Sequence, residues 1–184
     1  MVIEMLLPLT SEDLDAILLW RNQPDVRRCM FSSHVISDAE HQAWFRAQLD
    51  DPRRQVFVYQ LGDKKVGVVQ FTEINQKNRS AFWGFYLSPF ATVDASLRLE
   101  FAATAHAFES MKLHKLSCEV IEFNKKVLNM HKKCGFKIEG EFLDHHWDGK
   151  QFFSVLRLAM LRQEWHQNKS RIENRLRALS SSYS

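Results

Sequence analysis

The sequence has few cysteines, and their positions exclude two classes of small protein. Cys29, Cys118 and Cys134 are odd in number and lie far apart along the chain. They fit neither a disulfide framework nor the close spacing of a zinc site. We therefore interpret them as reduced thiols of a cytoplasmic protein, and we expect no metal centre.

Long apolar runs are also missing from the sequence. No stretch approaches the roughly eighteen consecutive apolar residues that span a bilayer. The first residues carry no basic start and their short apolar run ends at Pro8, so we expect no secretory signal. This composition predicts a protein without a membrane partner.

Charge and composition favour a folded protein but select no partner. The 184 residues are enough for one domain with a sizeable core, and the net charge is only +3. Such a mild excess suits an anionic small molecule as well as nucleic acid. The 14 Phe and 5 Trp residues are more than a core of this size needs, so we expect some of them to line a pocket.

The spacing of apolar residues predicts strands and helices in the order β, α, α, β, β, β, α, β, α, β, β. One mixed α/β sheet covered by helices is the simplest arrangement of these elements. Residues 1–161 are then a single domain, and residues 162–184 a basic helical tail that frays into its final serines. The predicted strands cover residues 2–7, 55–61, 65–74, 80–88, 115–123, 137–143 and 151–160, and the predicted helices cover residues 11–22, 38–51, 96–111 and 125–134.

Two polar residues stand out where the fifth strand gives way to a helix. Asn124 is a good N-cap, because its side-chain oxygen can accept from the first free amides. His131 lies seven residues later on the same helical face, roughly 10 Å along the axis. The two groups could bind an elongated ligand laid along the helix. A simple cap and a core-flanking histidine with one satisfied nitrogen explain the same spacing.

The wider pattern around these residues resembles a known active-site segment. Asn124, Val127, His131 and Gly135-Phe136 follow N-x-x-A/V-x-x-x-Y/H-x-x-x-G-F. This pattern is similar to the segment that closes the active site of the GNAT (Gcn5-related N-acetyltransferase) superfamily, whose element order also matches. The resemblance implies an α/β (α+β) GNAT fold: a mixed, mostly antiparallel twisted sheet of about seven strands, splayed between strands 4 and 5, with helices on both faces.

The resemblance also implies a chemistry for this segment, with acetyl-CoA as the donor. Asn124 would hydrogen-bond the pantetheine arm. His131 takes the position of the usual tyrosine, which protonates the departing CoA thiolate, and histidine can supply a proton near neutral pH. A backbone amide near Phe85 or Leu87 would donate to the carbonyl oxygen.

A carboxylate should take the proton of the acceptor amine, and two candidates precede Asn124. Glu119 and Glu122 lie on the same predicted strand, three residues apart, so strand alternation points them to opposite faces. Only one of them can face the cleft. We favour Glu119 as the base, and either residue could equally be a solvated surface carboxylate.

The region expected to bind the CoA pyrophosphate departs from the superfamily. The usual loop, R/Q-x-x-G-x-G/A, is replaced by the glycine-free segment 88–101. A helix N-terminus still offers free amides and a positive dipole end, although Asp94 would repel the anion. The departure leaves open weakened CoA binding or an inactive relative. The candidate cofactor-binding residues here are the amides of Ala95, Ser96 and Leu97 and the cations Arg98, Lys125 and Lys126.

The N-terminal half resembles a narrower group of enzymes. The patterns W-R-N-x-x-x-V-R-x-x-M and I-S-x-x-E-H-x-x-W-F are similar to those of the acetyltransferases of pseudaminic acid biosynthesis. Those enzymes acetylate the C4 amine of UDP-4-amino-4,6-dideoxy-N-acetyl-β-L-altrosamine, a precursor of the sugar used in flagellin glycosylation. Cationic side chains would bind the diphosphate, and Met and Phe would cover the deoxysugar. The implied substrate-binding residues are Arg21, Met30, Phe31, His41 and Phe45.

Other functions stay open from the sequence. A protein N-terminal acetyltransferase of the ribosomal-protein type shares the R-N-x-x-x-V-R-like start. A GNAT-fold binding protein that has lost CoA binding would fit the glycine-free loop. We expect no nucleic-acid partner. The tail has Ile172, Leu176 and Leu179 on one face, which favours docking or self-association as a homodimer over phosphate binding.

Overall fold

The computed structural model describes residues 4–181. This part of the chain contains seven strands and six α-helices. The strands are β1 (Glu4–Pro8), β2 (Gln55–Leu61), β3 (Lys64–Asn75), β4 (Ser80–Leu87), β5 (Lys115–Ile121), β6 (Lys137–Trp147) and β7 (Phe152–Leu161). The helices are α1 (Leu14–Arg21), α2 (Pro24–Arg27), α3 (Asp38–Asp50), α4 (Ala95–Ala105), α5 (Lys125–Cys134) and α6 (Arg162–Ser181).

All seven strands belong to one sheet, in the order β1-β2-β3-β4-β5-β7-β6. Each neighbouring pair is antiparallel except β4 and β5, which run parallel. This confirms the predicted mixed, mostly antiparallel sheet. A parallel pair needs a crossover connection, and α4 supplies it here.

The sheet opens between β4 and β5. Their register joins only Ser80–Phe82 to Lys115–Ser117. Beyond this point β4 continues to Leu87 and β5 to Ile121 as the two strands diverge. The predicted splay between strands 4 and 5 is therefore confirmed, and it creates a wedge-shaped opening in the centre of the sheet.

Two hydrophobic clusters cover opposite faces of the sheet. Because successive strand side chains point to opposite faces, Val69 joins the larger cluster while Val68 joins the smaller one. The larger cluster takes in buried residues of α4, α5 and α6, and the smaller one packs α1 against β2 and β3. Helices on both faces were predicted, and the structure confirms them.

Several elements extend beyond their predicted bounds or differ from them. After α4 the helix widens into one π turn, His106–Ser110. β6 runs to Trp147, well past its predicted end, with irregular pairing to β7 along its length. The predicted first strand also included residues 2 and 3, which lie outside the described residues.

The C-terminal helix packs on the rest of the chain. α6 begins at Arg162 and buries Trp165, Ile172 and Leu176 in the larger cluster. The division into a domain and a tail stays a prediction, and the predicted fraying of residues 182–184 lies outside the described residues. Across residues 4–181, no helix combines the length and apolarity needed to cross a membrane.

Candidate active site

Backbone groups of β4 line one side of the opening. The Ser88 N–H donates to the Val66 carbonyl of β3 at 2.8 Å. Because backbone groups of successive strand residues point to opposite edges, Phe85 and Leu87 direct their N–H and C=O toward β5. An extended chain with its own amides can bind such a free strand edge. The pantetheine arm of CoA has this chemistry, so the opening fits it.

His131 lies at the base of the opening, on α5. It is only 2% exposed, and its ring packs against Trp83 at 5.4 Å and Phe136 at 5.3 Å between centroids. Trp83 is the first residue of β4 beyond the last pair with β5. The imidazole therefore sits beside the point where the strands separate.

A buried carboxylate is bound to His131. Its Nδ1 lies 2.8 Å from Oε1 of Glu100 on α4, and Glu100 is fully buried. Burial alone would lower the pKa of His131, but the Glu100 carboxylate and the Cys118 side chain together oppose it, so the pKa is raised above its ordinary value. Sequence reasoning missed Glu100, because nothing near it along the chain distinguishes it from a surface carboxylate.

Asn124 begins α5, and Gly135 ends it. The Asn124 side-chain oxygen accepts from the Val127 N–H at 3.4 Å, as expected of an N-cap. Gly135 has a φ of 108°, in the left-handed region that glycine adopts readily at a helix C-terminus. The contact between Asn124 and pantetheine stays a prediction.

The two candidate bases differ in their partners. Glu119 accepts from Arg157 Nη2 at 2.5 Å and from its Nε at 3.0 Å. The Arg157 guanidinium also lies over the Phe82 and Phe142 rings, at 4.9 and 5.1 Å. Glu122 instead accepts from the backbone N–H of Ser154 at 2.8 Å. Both carboxylates are therefore held in place, and the identity of the base stays a prediction.

The start of α4 is arranged around Arg98. This side chain is 6% exposed and binds Asp94 through Nε at 2.5 Å and Glu4 through Nη1 at 2.7 Å. Burial alone would raise the pKa of Asp94, but hydrogen bonds from Arg98 and Thr92 lower it. Arg98 therefore offsets the negative charge at this helix end, and its contact with the CoA pyrophosphate stays a prediction.

The first amides of α4 are not equivalent. The Ala95 N–H already donates to the Thr92 carbonyl at 3.0 Å, and the amides of Ser96 and Leu97 follow it in the first turn. Lys126 is exposed in the first turn of α5, as is Lys125. Their contacts with a CoA pyrophosphate stay predictions.

Two arginines brace the loop that follows α2. Arg21 Nη2 donates to the Ser32 carbonyl at 2.7 Å, and Arg27 Nη1 donates to that of Ser33 at 3.0 Å. Neither guanidinium is paired with a carboxylate within the described residues 4–181. Burial, and to a smaller extent the nearby Arg27 cation, lower the pKa of Arg21. The guanidiniums of Arg21 and Arg27 therefore place beside this loop positive charge that no carboxylate within residues 4–181 pairs with.

A cleft of about 370 Å³ opens beside this loop. Phe31, 53% exposed, meets the His146 ring edge-on at 5.8 Å between centroids. Sequence reasoning missed His146 and the two aromatic rings of the wall, because the β6–β7 hairpin reaches the loop only through the fold. The cleft is lined by Pro24, Arg27, Arg28, Ser33, Phe123, His146, Asp148 and Phe153.

Three other predicted substrate-binding residues, His41, Phe45 and Met30, are more buried than Phe31. His41 is 5% exposed, with Nε2 at 3.1 Å from the Leu14 carbonyl and its ring stacked on Trp44. Burial lowers the pKa of His41. Phe45 packs against the smaller cluster, and Met30 is half-buried. The structure does not bring His41 and Phe45 together with the cleft, and their substrate role stays a prediction.

No cluster of three or more His, Cys, Asp or Glu side chains suited to a metal occurs in the described part of the chain. Residues 5–137 match the acetyltransferase (GNAT) domain family.

Two curated acetyltransferases are similar to this chain over most of their length. Spermidine N(1)-acetyltransferase of Escherichia coli (strain K12) is 26% identical over 159 residues, covering 86% of each chain. Acetyltransferase PseH of Campylobacter jejuni (strain ATCC 700819 / NCTC 11168) is 29% identical over 140 residues, covering 76% of this chain and 86% of that protein.

A solved structure has the same fold. Spermidine N-acetyltransferase from Vibrio cholerae, in complex with CoA and spermine, superposes with a TM-score of 0.82 and 24% identity, covering 88% of this chain and 97% of that one. The match in fold and the family match agree with the opening between β4 and β5. This chain belongs to the GNAT family and is an acetyl-CoA-dependent N-acetyltransferase.

Proposed function

We propose that the acceptor is an anionic, nucleotide-linked amino-dideoxy sugar of the UDP-4-amino-4,6-dideoxy-N-acetyl-β-L-altrosamine type, acetylated on its C4 amine. The reaction would belong to pseudaminic acid biosynthesis and so to flagellin glycosylation. We place it in the cytoplasm, where the free thiols of Cys29, Cys118 and Cys134 would persist. The similarity to PseH over 76% of the chain supports this acceptor.

The charge of the acceptor cleft carries the proposal. Arg27 lines the cleft, and Arg21 donates to the loop beside it; both are anchored by backbone carbonyls and have no carboxylate partner within residues 4–181. A diphosphate would accept hydrogen bonds from such guanidiniums. A polyamine, which is a polycation, would be repelled by them.

The acidic side chains around the cleft are already engaged. Asp148 Oδ1 accepts from the backbone N–H groups of Lys150 and Gln151 at 2.7 and 2.9 Å. Asp25 lies 3.4 Å from Arg28. These partners reduce the capacity of both carboxylates to bind an ammonium group, which weakens the case for a polyamine acceptor.

The aromatic rings of the cleft suit the rest of a deoxysugar. Phe123 and Phe153 pack edge to face at 4.9 Å between centroids in its wall, and Phe31 lies next to His146. Their apolar faces can cover a methyl group and the C–H face of a pyranose ring. A cationic edge next to an aromatic wall is the combination that this class of acceptor requires.

Each residue group at the opening would have one role in the acetyl transfer. Acetyl-CoA supplies an activated thioester; the acceptor nitrogen forms a bond to the acetyl carbon as the C–S bond breaks. The amide of Phe85 or Leu87 would donate to the carbonyl oxygen. Glu119 or Glu122 would accept the proton of the amine, and His131 would donate a proton to the sulfur.

A second candidate acceptor is a polyamine such as spermidine. The specific observation in its favour is the 26% identity to the Escherichia coli spermidine enzyme over 86% of the chain. The two proposals differ in the sign of the acceptor charge, so substitutions of cleft arginines should separate them.

The test is an acetylation assay with acetyl-CoA and three acceptors: the UDP-amino sugar, spermidine and a peptide with a free N-terminus. We expect the sugar nucleotide to be acetylated with the highest kcat/KM, and free UDP to inhibit competitively. Arg27→Gln should raise KM for the sugar nucleotide about tenfold or more, the loss expected for one charge-assisted hydrogen bond.

Two controls make this assay specific for charge. Arg27→Lys keeps the cation and should retain more of the affinity, whereas Arg46→Gln, exposed on α3, should have no effect. Preferential acetylation of spermidine, with Arg27→Gln improving it, would overturn the proposed acceptor in favour of the polyamine.

A further inference from the structure

The pair formed by His131 and Glu100 is buried more deeply than a helix-packing contact requires. Glu100 on α4 and His131 on α5 lie 31 positions apart and are joined at 2.8 Å, with at most 2% of either residue exposed. Placing a carboxylate in such surroundings is unfavourable unless a charged hydrogen-bond donor meets it. An imidazolium would meet that requirement, since both of its ring nitrogens are donors.

The contacts of the His131 ring also define its orientation relative to the opening between β4 and β5. Nδ1 faces Glu100, so Nε2 lies on the opposite side of the ring. The same ring contacts Trp83 and Phe85 of β4 and interacts with the Cys118 side chain of β5. Trp83 and Cys118 each follow the last residue pair that joins the two strands. These contacts place the ring where the strands part, with Nε2 turned away from Glu100.

We propose that Glu100 is a positioning residue, which holds the His131 imidazolium through Nδ1 so that Nε2–H is directed at the sulfur of the departing CoA. This inference rests on the acetyl transfer proposed above. In the step itself, the C–S bond breaks, the sulfur takes the Nε2 proton, and the C–N bond of the product forms. His131 is left neutral, with its Nδ1–H still donated to Glu100, and regains a proton from solvent before the next turnover.

Among the groups around His131, the Glu100 carboxylate contributes most to keeping the imidazole protonated. β4 and the turn after α5 contribute only aromatic rings, those of Trp83, Phe85 and Phe136. Burial raises the pKa of Cys134, so it stays an uncharged thiol. Other ionisable groups that act on the site from packed elements are Cys118 of β5 and Arg171 and Arg175 of α6, which influence Cys134.

The pH dependence follows from this arrangement. A histidine whose pKa is raised in the folded state remains protonated until the pH rises through that value. Replacing Glu100 by Gln removes the carboxylate and leaves burial, which disfavours the imidazolium. The alkaline limb of kcat should therefore move to lower pH in Glu100→Gln, while KM for acetyl-CoA changes little.

The experiment combines a spectroscopic readout with kinetics. The ring nitrogens of His131 are titrated by NMR in the free full-length protein, for wild type, Glu100→Gln and Glu100→Asp. The kcat–pH profile is then measured with whichever amine the enzyme acetylates. At pH 8 we expect kcat of Glu100→Gln to fall by about 10- to 100-fold, recovering at lower pH, with Glu100→Asp in between.

The control removes a partly exposed carboxylate that follows the same helix and does not contact His131. Glu109, in the π turn after α4, accepts from Trp165 and Lys169, and Glu109→Gln should leave the His131 titration and the shape of the kcat–pH profile unchanged. A neutral His131 in wild type at pH 7 would overturn the proposal. So would an equal loss of kcat at every pH in Glu100→Gln with an unaltered His131 titration.

These outcomes are distinguishable from failure of the proposed acceptor. The NMR titration needs no acceptor, and the pH profile can be recorded with spermidine if the sugar nucleotide is not a substrate. If Glu100→Gln does not fold, the wild-type titration and Glu100→Asp decide the question.

Discussion

The Asn22 side chain and the backbone of Ile36 exchange two hydrogen bonds, each 2.8 Å long. The 14-residue separation between them spans α2 and the loop that carries Phe31. Together with the carbonyl contacts of Arg21 and Arg27, this exchange holds the loop against the end of α1. Arg21 and Asn22 of the W-R-N pattern therefore hold the loop that borders the acceptor cleft.

Asn22→Ala should loosen that wall. We expect KM for the acceptor to rise several-fold with little change in KM for acetyl-CoA, and the free energy of unfolding to fall by about 1–2 kcal/mol, since two hydrogen bonds are lost. Steady-state kinetics and urea unfolding measure both effects. Gln23→Ala removes a neighbouring exposed amide and serves as the control. An unchanged acceptor KM in Asn22→Ala would show that the loop does not shape the acceptor site.

His131→Ala should slow turnover without weakening cofactor binding. The loss of a general acid lowers kcat by about 10²-fold or more, yet the thiolate is a tolerable leaving group, so activity persists. The affinity for acetyl-CoA, measured by calorimetry, should stay nearly the same. A large loss of that affinity with unaltered turnover would contradict the acid role.

The buried pair should also be visible in stability. Glu100→Ala and His131→Ala are each expected to lower the free energy of unfolding by about 3–5 kcal/mol, because each leaves the other group buried without its partner. The double variant should be less destabilised than the two losses added together, by about 1–3 kcal/mol. Urea unfolding at pH 7 measures the cycle.

A second His–Glu pair provides the comparison for that cycle. His34 Nε2 lies 3.0 Å from Glu40 Oε1, but both side chains are more than half exposed. His34→Ala should therefore have little effect on stability. Strict additivity at His131 and Glu100 would mean that the two side chains are not coupled.

Asp94→Asn should strengthen cofactor binding at the start of α4. Removing a carboxylate next to the positive end of the helix should tighten acetyl-CoA binding by about two- to fivefold, and the gain should shrink at high salt. Isothermal calorimetry at two salt concentrations measures the change. Asp63→Asn, exposed in the turn between β2 and β3, is the control. No gain in affinity would indicate that the pyrophosphate does not approach this helix end.

Gly67→Ala should disturb the edge of the opening. A methyl group at Gly67 would lie 2.9 Å from Leu87 Cδ2 and 3.0 Å from the backbone oxygen of Tyr86, so β4 would have to shift. We expect a loss of about 1–3 kcal/mol in unfolding free energy, as for other overpacked sites, together with weaker acetyl-CoA binding.

Another strand glycine tests whether the loss comes from overpacking. At Gly84 on β4 the added methyl group would come no closer than 3.8 Å to Gln70 Nε2, an ordinary contact. Gly84→Ala should therefore be tolerated better than Gly67→Ala. Equal losses in the two variants would argue against a steric origin.

Local patterns account for most of the fold. The capping box of Ser37 and Glu40 and the Asn124 cap act over a few residues, and each is present in the structure. The GNAT resemblance predicted that the sheet opens between β4 and β5. The length of β6 was underestimated, because its exposed and irregular pairing with β7 leaves little alternation to detect.

The sequence by itself determined the order of the elements, their caps and the segment that runs from Asn124 to Phe136. Those features depend on backbone propensity and on side chains a few positions apart. Only the tertiary structure decided which charges meet: Glu100 with His131, Arg157 with Glu119, and Arg98 with both Glu4 and Asp94. The physical reason is that an ion pair forms between elements brought together by packing, and nothing in the local sequence records which surfaces will touch.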